Sequence, residues 1–499
     1  MGFGTIDYII VLVYLVGVAV FGVLSAGKQT STKDYFLGNK NIPWWAVCFA
    51  IVATETSTIT FISVPGMAYM ANLNFLQVAI GYIVGRIVIS FLFLPAYFKG
   101  ELVTAYALLT SRFGEKTRNY ASVVFLITRT AATGVRLFTT AIPLAIIFKG
   151  YQIFTGLGDT WIYIIAIVII TGFTFVYTYT GGMKAVIWTD VVQMFLYLFG
   201  AGLALFLLLT NINGGWSTVV QTAAANGKFE FLHWGAGGGL SNFFADKYSF
   251  VASVLGGAFL SMASHGVDQL IVQRILATDT LKNGKKAIIG SGILVFIQFA
   301  FFLIVGVALY TFYTTNPMYA ANAELVPNKG DLVFPHFIIH HLPSGISGLI
   351  IASLFASAMG ALSGSINSLA SSTLIDLYKP YFGKNNTDAD DLKLSRLFSV
   401  FWTIVLVFTA FLFMNIGGAV LEVALQISSF TYGGLLGTFL LGVLFKKPKE
   451  KDAIIGFTAG LLALLVVFLF TNIAWTWYTF IGSAATVIVG YYSTYFTQK

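Results

Sequence analysis

Charge is scarce in this chain. Of its 499 residues only 10% are charged and 57% are hydrophobic, whereas an ordinary soluble domain carries about 25% charged residues. That composition excludes a soluble globule. Cysteine is nearly absent: the single Cys48 rules out an intrachain disulfide and, at the start of an apolar stretch, carries no information about compartment. No Gly-x4-Gly-Lys-Ser/Thr run occurs, so nothing points to ATP as a source of power. The flank Met1-Gly2-Phe3-Gly4-Thr5 lacks the basic residues of a signal peptide, and no small-residue cleavage site follows the first apolar stretch. That stretch is expected to remain as a membrane helix.

What fills the chain is apolar sequence. Thirteen stretches, near 6–25, 44–71, 75–98, 119–148, 160–179, 185–209, 249–276, 287–314, 345–377, 393–414, 419–445, 453–473 and 475–497, are each long enough to cross a bilayer. They run apolar for about twenty residues instead of alternating, which argues against a membrane β-barrel. The expected fold is therefore an all-α polytopic membrane protein of 13 transmembrane helices, multi-pass in the cell (inner or plasma) membrane. The whole of 1–499 reads as one membrane transport domain.

The formal charge of +8 would suit nucleic acid, but its distribution does not. With the N-terminus outside, the outer loops hold only Lys149, Lys228, Lys247 and Lys329, and Arg86, Arg129 and Arg136 lie within spans. The remaining basic residues gather at the cytoplasmic side, and that asymmetry predicts N-out, C-in. The basic excess is an orientation signal; the expected surroundings are lipid, with no nucleic acid partner. Lys282/Lys285/Lys286 and Lys446/Lys447/Lys449/Lys451 read as helix-end anchors.

One span carries a carboxylate inside a run of hydroxyl residues, Ala53-Thr54-Glu55-Thr56-Ser57-Thr58-Ile59-Thr60, with Pro65-Gly66 beyond. Such groups are costly in hydrocarbon and mark function by default. The run predicts a helix that unwinds between Ala53 and Thr56 around an ion or a polar solute. Carboxylate, hydroxyl and carbonyl oxygens suit a hard cation, so Glu55 reads as a cation ligand or proton carrier. The plain alternative is a carboxylate satisfied by a buried arginine. Five spans later, 249–276 is interrupted again by Gly256-Gly257 and carries Ser261, Ser264, His265, Gly266, Asp268 and Gln269. Two polar, broken helices in corresponding positions of successive five-helix units point to an inverted repeat with its site between them.

Other polar groups are more ambiguous. Asp190 is either functional or half of a helix-end pair with Lys184, and Asp268 and Arg274 read as helix-end residues. Arg129, Thr133, Arg136 and Thr140 share one helix face, where a guanidinium can take a substrate carboxylate or serve Glu55 or Asp190 structurally. Arg86, following Gly81 and Gly85, reads as packing. The stripe Ser353, Ser357, Gly360, Gly364, Ser368 and Ser371 reads as close helix approach, with Ser363 and Asn367 off it and free to reach a site. His336, His340 and His341 have a spacing compatible with a metal, but no carboxylate or cysteine joins them and no transition metal is expected.

At these residues the chain resembles the sodium/solute symporter family of sugar, sialic acid, proline and monocarboxylate carriers. The resemblance rests on Asp34-Tyr35-Phe36-Leu37-Gly38, the 53–66 run, Thr104-Ala105-Tyr106 with Arg112-Phe113, and Gly181-Gly182 with Trp188-Thr189-Asp190-Val191-Val192-Gln193. Gln273-Arg274 with Asp279, Ser365-Ile366-Asn367-Ser368 and Phe445-Lys446-Lys447 extend it over nearly the whole length. It implies a five-plus-five inverted repeat with one helix before and two after: 1–43, then repeats 44–209 and 249–445, then 453–499. It implies sodium at the carbonyls of Ala53, Thr56 and Ser357, where the usual two hydroxyl residues are replaced here by Gly360 and Ala361. Glu55 would then join the sodium's first shell, and Asp190 with Ser363 resembles a second sodium position. For the solute the resemblance implies Ser57, Thr60, Phe75 and Gln77. Gln426 matches a sugar-binding glutamine and Arg136 a carboxylate-binding arginine.

The expected activity is thus sodium-coupled symport of a small sugar or organic acid into the cell, with no cofactor beyond the coupling ion. Open alternatives are a proton-coupled or ion-independent carrier of the same fold and a membrane solute sensor. A channel would need a continuous polar pore, and an enzyme a converging nucleophile or metal set; neither pattern is present in the sequence.

Overall fold

The computed structural model describes residues 4–27, 29–56, 58–99, 102–149, 156–235, 237, 239–322, 326, 330–414 and 420–497. Among these it is all-helical, with no strand. The principal helices are α1 (Thr5–Ala26), α2 (Trp44–Glu55), α3 (Thr58–Met70), α4 (Leu76–Leu92), α5 (Glu115–Lys149), α6 (Asp159–Thr210), α7 (Phe250–Gly266), α8 (Gln269–Leu276) and α9 (Leu281–Thr315). They are followed by α10 (Gly330–His341), α11 (Ile346–Ser372), α12 (Asp388–Leu412), α13 (Val420–Leu444), α14 (Glu450–Phe470) and α15 (Tyr478–Thr497).

Among the described residues eight helices are long and apolar enough to cross a membrane, or ten if each bent pair is one span. One of the eight, α6, has 52 residues. Straight, it would run about 78 Å at roughly 1.5 Å per residue, more than twice the ~30 Å of hydrocarbon. It turns at Gly182, whose φ of 54° and ψ of −149° are not helical, and a Cβ there would strike the Tyr35 carbonyl. Glycine is required at that corner. The two expected stretches 160–179 and 185–209 are its two arms.

The bent pairs are α2/α3 and α7/α8, each broken by 61°. Helix α2 continues through Glu55 and stops at Thr56, whose ψ of 89° is not helical. The stretch between Ala53 and Thr56 that the sequence expects to unwind stays coiled, and the break lies beyond the carboxylate instead of around it. In α7/α8 the chain leaves the helix at Val267 and restarts on Asp268, whose side chain accepts from Leu270 N–H at 2.9 Å as an N-cap. Broken helices at equivalent places of two five-helix units are the geometry of an inverted repeat.

Around these pairs the helices sort by exposure. Nearly every residue of α11 is buried, and its small stripe admits close neighbours: Ser353 donates to the Leu196 carbonyl of α6 at 3.1 Å. By contrast α1 and α12 present large apolar side chains outward, among them Ile9, Leu12 and Val13, and Phe401, Ile404 and Phe408. Such faces are stable only against lipid. Asp7 ties α1 to α11: its carboxylate accepts from the Gly345 and Gly348 amides at 2.7 and 2.6 Å and from Ser344 Oγ at 2.8 Å.

Candidate solute and ion sites

Both breaks open on one cavity of about 90 Å³, lined by polar residues on one side and by Phe75, Tyr82 and Phe299 on another. Each break carries a carboxylate, Glu55 in the cavity lining and Asp268 outside it, and each carboxylate has one arginine. Glu55, the last residue of α2, is paired with Arg86 of α4. Arg86 Nη1 also donates to Ser291 Oγ at 2.8 Å, and its Nη2 lies 2.9 Å from His265 Nε2. The same Nε2 stands 3.3 Å from Glu55 Oε2, and Nδ1 on the other side of the ring lies 2.7 Å from Ser264 Oγ. At the second break Asp268 is paired with Arg129 of α5. Tyr432 of α13 closes that cluster, accepting from Arg129 at 2.9 Å and donating to Asp268 at 2.7 Å.

These pairs fix the partner of each charge. Arg86 does not merely pack; it is the arginine that holds Glu55. Asp268 is the helix-end residue the sequence suggested, the N-cap of α8, and its carboxylate is held by Arg129. Glu55, expected among the sodium's oxygens, is turned to Arg86 and the cavity, since α2 stays coiled through it.

Arg136 differs from its neighbours. It lines the cavity, yet its guanidinium has no hydrogen bond or ion pair among the described residues, and its Nε is buried without an acceptor. An unpaired guanidinium at a largely enclosed site is costly. It is the one cavity charge among the described residues left without a counter-charge.

Of the remaining expected solute contacts, Thr60 and Phe75 line the cavity. Gln77 does not: its amide donates to the carbonyls of Asn74 and Tyr248 and accepts from His233 N–H, at 3.0–3.3 Å. Gln426 is also absent from the lining, whereas Leu425, Ser428 and Tyr432 of the same helix contribute to it. Positions 428 and 432 lie one turn apart on a face that 426 does not share. Ser57 lies outside the described residues. Ser264, His265, Ser428, Tyr432, Tyr82 and Phe299 belong to the lining without having been assigned to the solute. The histidine and serine were visible in the interrupted stretch, but aromatic residues in apolar spans give no local signal.

Below the break, Thr56 faces α11. Its carbonyl accepts from Ser357 Oγ at 2.5 Å, and its hydroxyl from Gln298 at 2.6 Å. Ala53 is helical and buried in the last turn of α2, where backbone carbonyls end without helical partners and the dipole is negative. Asp190 is fully buried and paired with Arg274 Nη2 at 2.9 Å, not with Lys184; Arg274 stands in the last turn of α8, a helix-end residue as read from the sequence. Ser363 Oγ donates to the Gly360 carbonyl at 3.1 Å. A Cβ on Gly360 would stand 2.9 Å from Asp190 Oδ1 and 3.0 Å from Gln193 Oε1. Both oxygens are buried and unpartnered. Ala361 lines a much smaller space of about 10 Å³ with Arg136, Thr133 and Thr140.

Broken helices meeting at a buried polar cavity, with carbonyl ends turned to one side of it, define a secondary transporter of the inverted-repeat type. The family model of the sodium:solute symporter family matches residues 35–460, and the chain belongs to that family, as a sodium-coupled solute symporter and not an enzyme. It is 30% identical to the sodium/sialic acid symporter NanT of Aliivibrio fischeri, over 98% of this chain and 93% of that one. With the sodium/sialic acid symporter SiaT of Proteus mirabilis it shares 28% identity over 98% and 94% of the two chains. A solved structure of a Na+-coupled sialic acid symporter, substrate-bound and outward-open, superposes with a TM-score of 0.84 at 27% identity, covering 99% of this chain and 98% of that one.

Proposed function

We propose that the protein carries a small monocarboxylic acid into the cell with sodium, by alternating access to the cavity between α2/α3 and α7/α8. The observation that carries this is Arg136. Glu55 is matched by Arg86 and Asp268 by Arg129, so a solute carboxylate on Arg136 is what balances the described cavity charges. A bidentate guanidinium–carboxylate contact also supplies orientation. Sialic acid, the solute of the relatives, is a monocarboxylic acid and the first candidate.

For sodium, the carbonyls of Ala53 and Thr56 and the α11 residue Ser357 supply the start of a hard-cation shell. Gly360 and Ala361 bring no hydroxyls. Asp190 Oδ1 and Gln193 Oε1, converging on the space Gly360 leaves, are suited to replace them. Ser363 contributes by fixing the Gly360 carbonyl. The orientation is N-terminus outside and C-terminus cytoplasmic, supported by the basic inner loops.

The second reading is a neutral sugar, supported by the hydroxyls of Thr60 and Ser428 in the lining. Uptake of sialic acid and of glucose into proteoliposomes, driven by a sodium gradient or a pH gradient, separates the possibilities. Sodium-driven uptake of the acid, lost in Arg136→Gln, supports the proposal. Uptake indifferent to sodium, or of glucose alone, contradicts it.

A further inference from the structure

Glu55 uses only one of its two oxygens within the protein. Both Arg86 Nη2 and His265 Nε2 approach Oε2, and among the described residues Oε1 has no partner. The side chain is 12% exposed, and that exposure is to the cavity it lines. The result is an ionised acceptor, pinned from behind by a buried arginine and open in front.

Resting on the carboxylate reading of Arg136, we infer that Glu55 is a specificity-determining residue for the solute and not a ligand of sodium: it reads a hydroxyl donor on the transported acid. The solute class is then a hydroxylated monocarboxylic acid, its carboxylate on Arg136 and a hydroxyl on Glu55 Oε1. Three arguments favour this occupant. A carboxylate oxygen accepts and never donates when ionised, so its partner must carry a proton. A sodium ion there would share the cavity with Arg129 and Arg136 and stand beside the Arg86 that holds Glu55, whereas the unpartnered oxygens of Asp190 and Gln193 lie outside the cavity lining. An ammonium group would satisfy Glu55 locally, but a zwitterion brings no net charge and leaves the positive charge of Arg136 unbalanced. A hydroxyl adds the hydrogen bond without disturbing the balance.

Sites built to bond a solute hydroxyl reject analogues that lack it, because the buried acceptor is then left empty. Competition against bound sialic acid in the purified full-length protein tests this, with D-glucuronate (hydroxylated), hexanoate (no hydroxyl) and proline (zwitterionic) as probes at fixed sodium. Wild type should prefer glucuronate over hexanoate and over proline by about tenfold or more. In Glu55→Leu, which leaves no acceptor, the preference over hexanoate should collapse, while the sodium concentration giving half-maximal stabilisation stays within about twofold. If the lone Arg86 unfolds that variant, Glu55→Leu/Arg86→Leu removes both charges together and carries the same prediction. The inference is overturned if Glu55→Leu keeps the hydroxyl preference, or if its main effect is a large rise in the sodium requirement. Should glucose bind while none of the acids does, the carboxylate reading itself fails. Acids binding without hydroxyl preference overturn only the role of Glu55.

Discussion

The guanidinium of Arg274 lies in the space where a side chain on Gly364 would stand: a Cβ there would be 2.7 Å from Arg274 Nη1. The missing side chain lets Arg274 reach Asp190, and both are fully buried. Gly364→Ser should therefore evict the arginine and strand Asp190. Breaking a buried pair costs about 3–5 kcal/mol, expected as a lower thermal midpoint and poor recovery of monodisperse protein. The same geometry places an internal cation beside Asp190, so one sodium per solute is expected. Sodium activation of uptake should be hyperbolic, with a Hill coefficient near one.

Tyr432 joins three elements, α13, α5 and the α7/α8 break, through a hydroxyl that both accepts and donates. Tyr432→Phe keeps the ring and removes both bonds, leaving the Arg129–Asp268 pair in place. A loss of about 1–3 kcal/mol is expected, measured as a fall in the thermal midpoint. Tyr432→Ala should lower it further by emptying part of the cavity wall.

Helix α3 packs against α9 where Gly306 meets Pro65. A Cβ on Gly306 would collide with the Pro65 carbonyl and stand 2.9 Å from Ala68 Cβ. Backbone cannot swing aside as a side chain can, so Gly306→Ala should destabilise by about 1–3 kcal/mol. Thermal unfolding in detergent reads that loss.

Helix α10 holds His336 half-buried, its Nδ1 2.8 Å from the Tyr313 hydroxyl. Burial, with His340 and His341 beside it, pushes its pKa down to about 4 from an ordinary value near 6.5. Folding thus favours the neutral ring. Its contribution is intact above about pH 6.5 and is lost as pH falls from there towards 4, because the unfolded chain takes up the proton first. Amide exchange in α10 should accelerate over that interval, and His336→Gln should flatten the dependence. His341 Nε2 is likewise turned to a tyrosine hydroxyl, that of Tyr319.

Much of this was legible in the sequence, for physical reasons. Long apolar runs can only be membrane helices, and hydroxyls around a carboxylate in such a run can only be tolerated at a break, so α2/α3 was visible before any coordinates. The two stretches 160–179 and 185–209 were visible as separate apolar runs, and the corner of α6 at Gly182 falls between them. The partners of the charges were not legible. Arg86, Arg129 and Arg274 find Glu55, Asp268 and Asp190 across distances of 31, 139 and 84 residues, which no local spacing encodes. For the same reason Gln77 read as a solute contact, although its amide is spent on the outer loops. Gln426 was expected at the solute only by resemblance, while the register of α13 turns Leu425, Ser428 and Tyr432 to the cavity.

The most direct measurement is calorimetric binding of sialic acid, D-glucuronate and glucose to wild type and Arg136→Gln, each in sodium and in potassium. Tight binding of an acid in sodium, weakened about tenfold or more in potassium and again in Arg136→Gln, is the predicted result. Equal binding of the acid by the variant, or glucose binding that ignores both changes, would contradict the account.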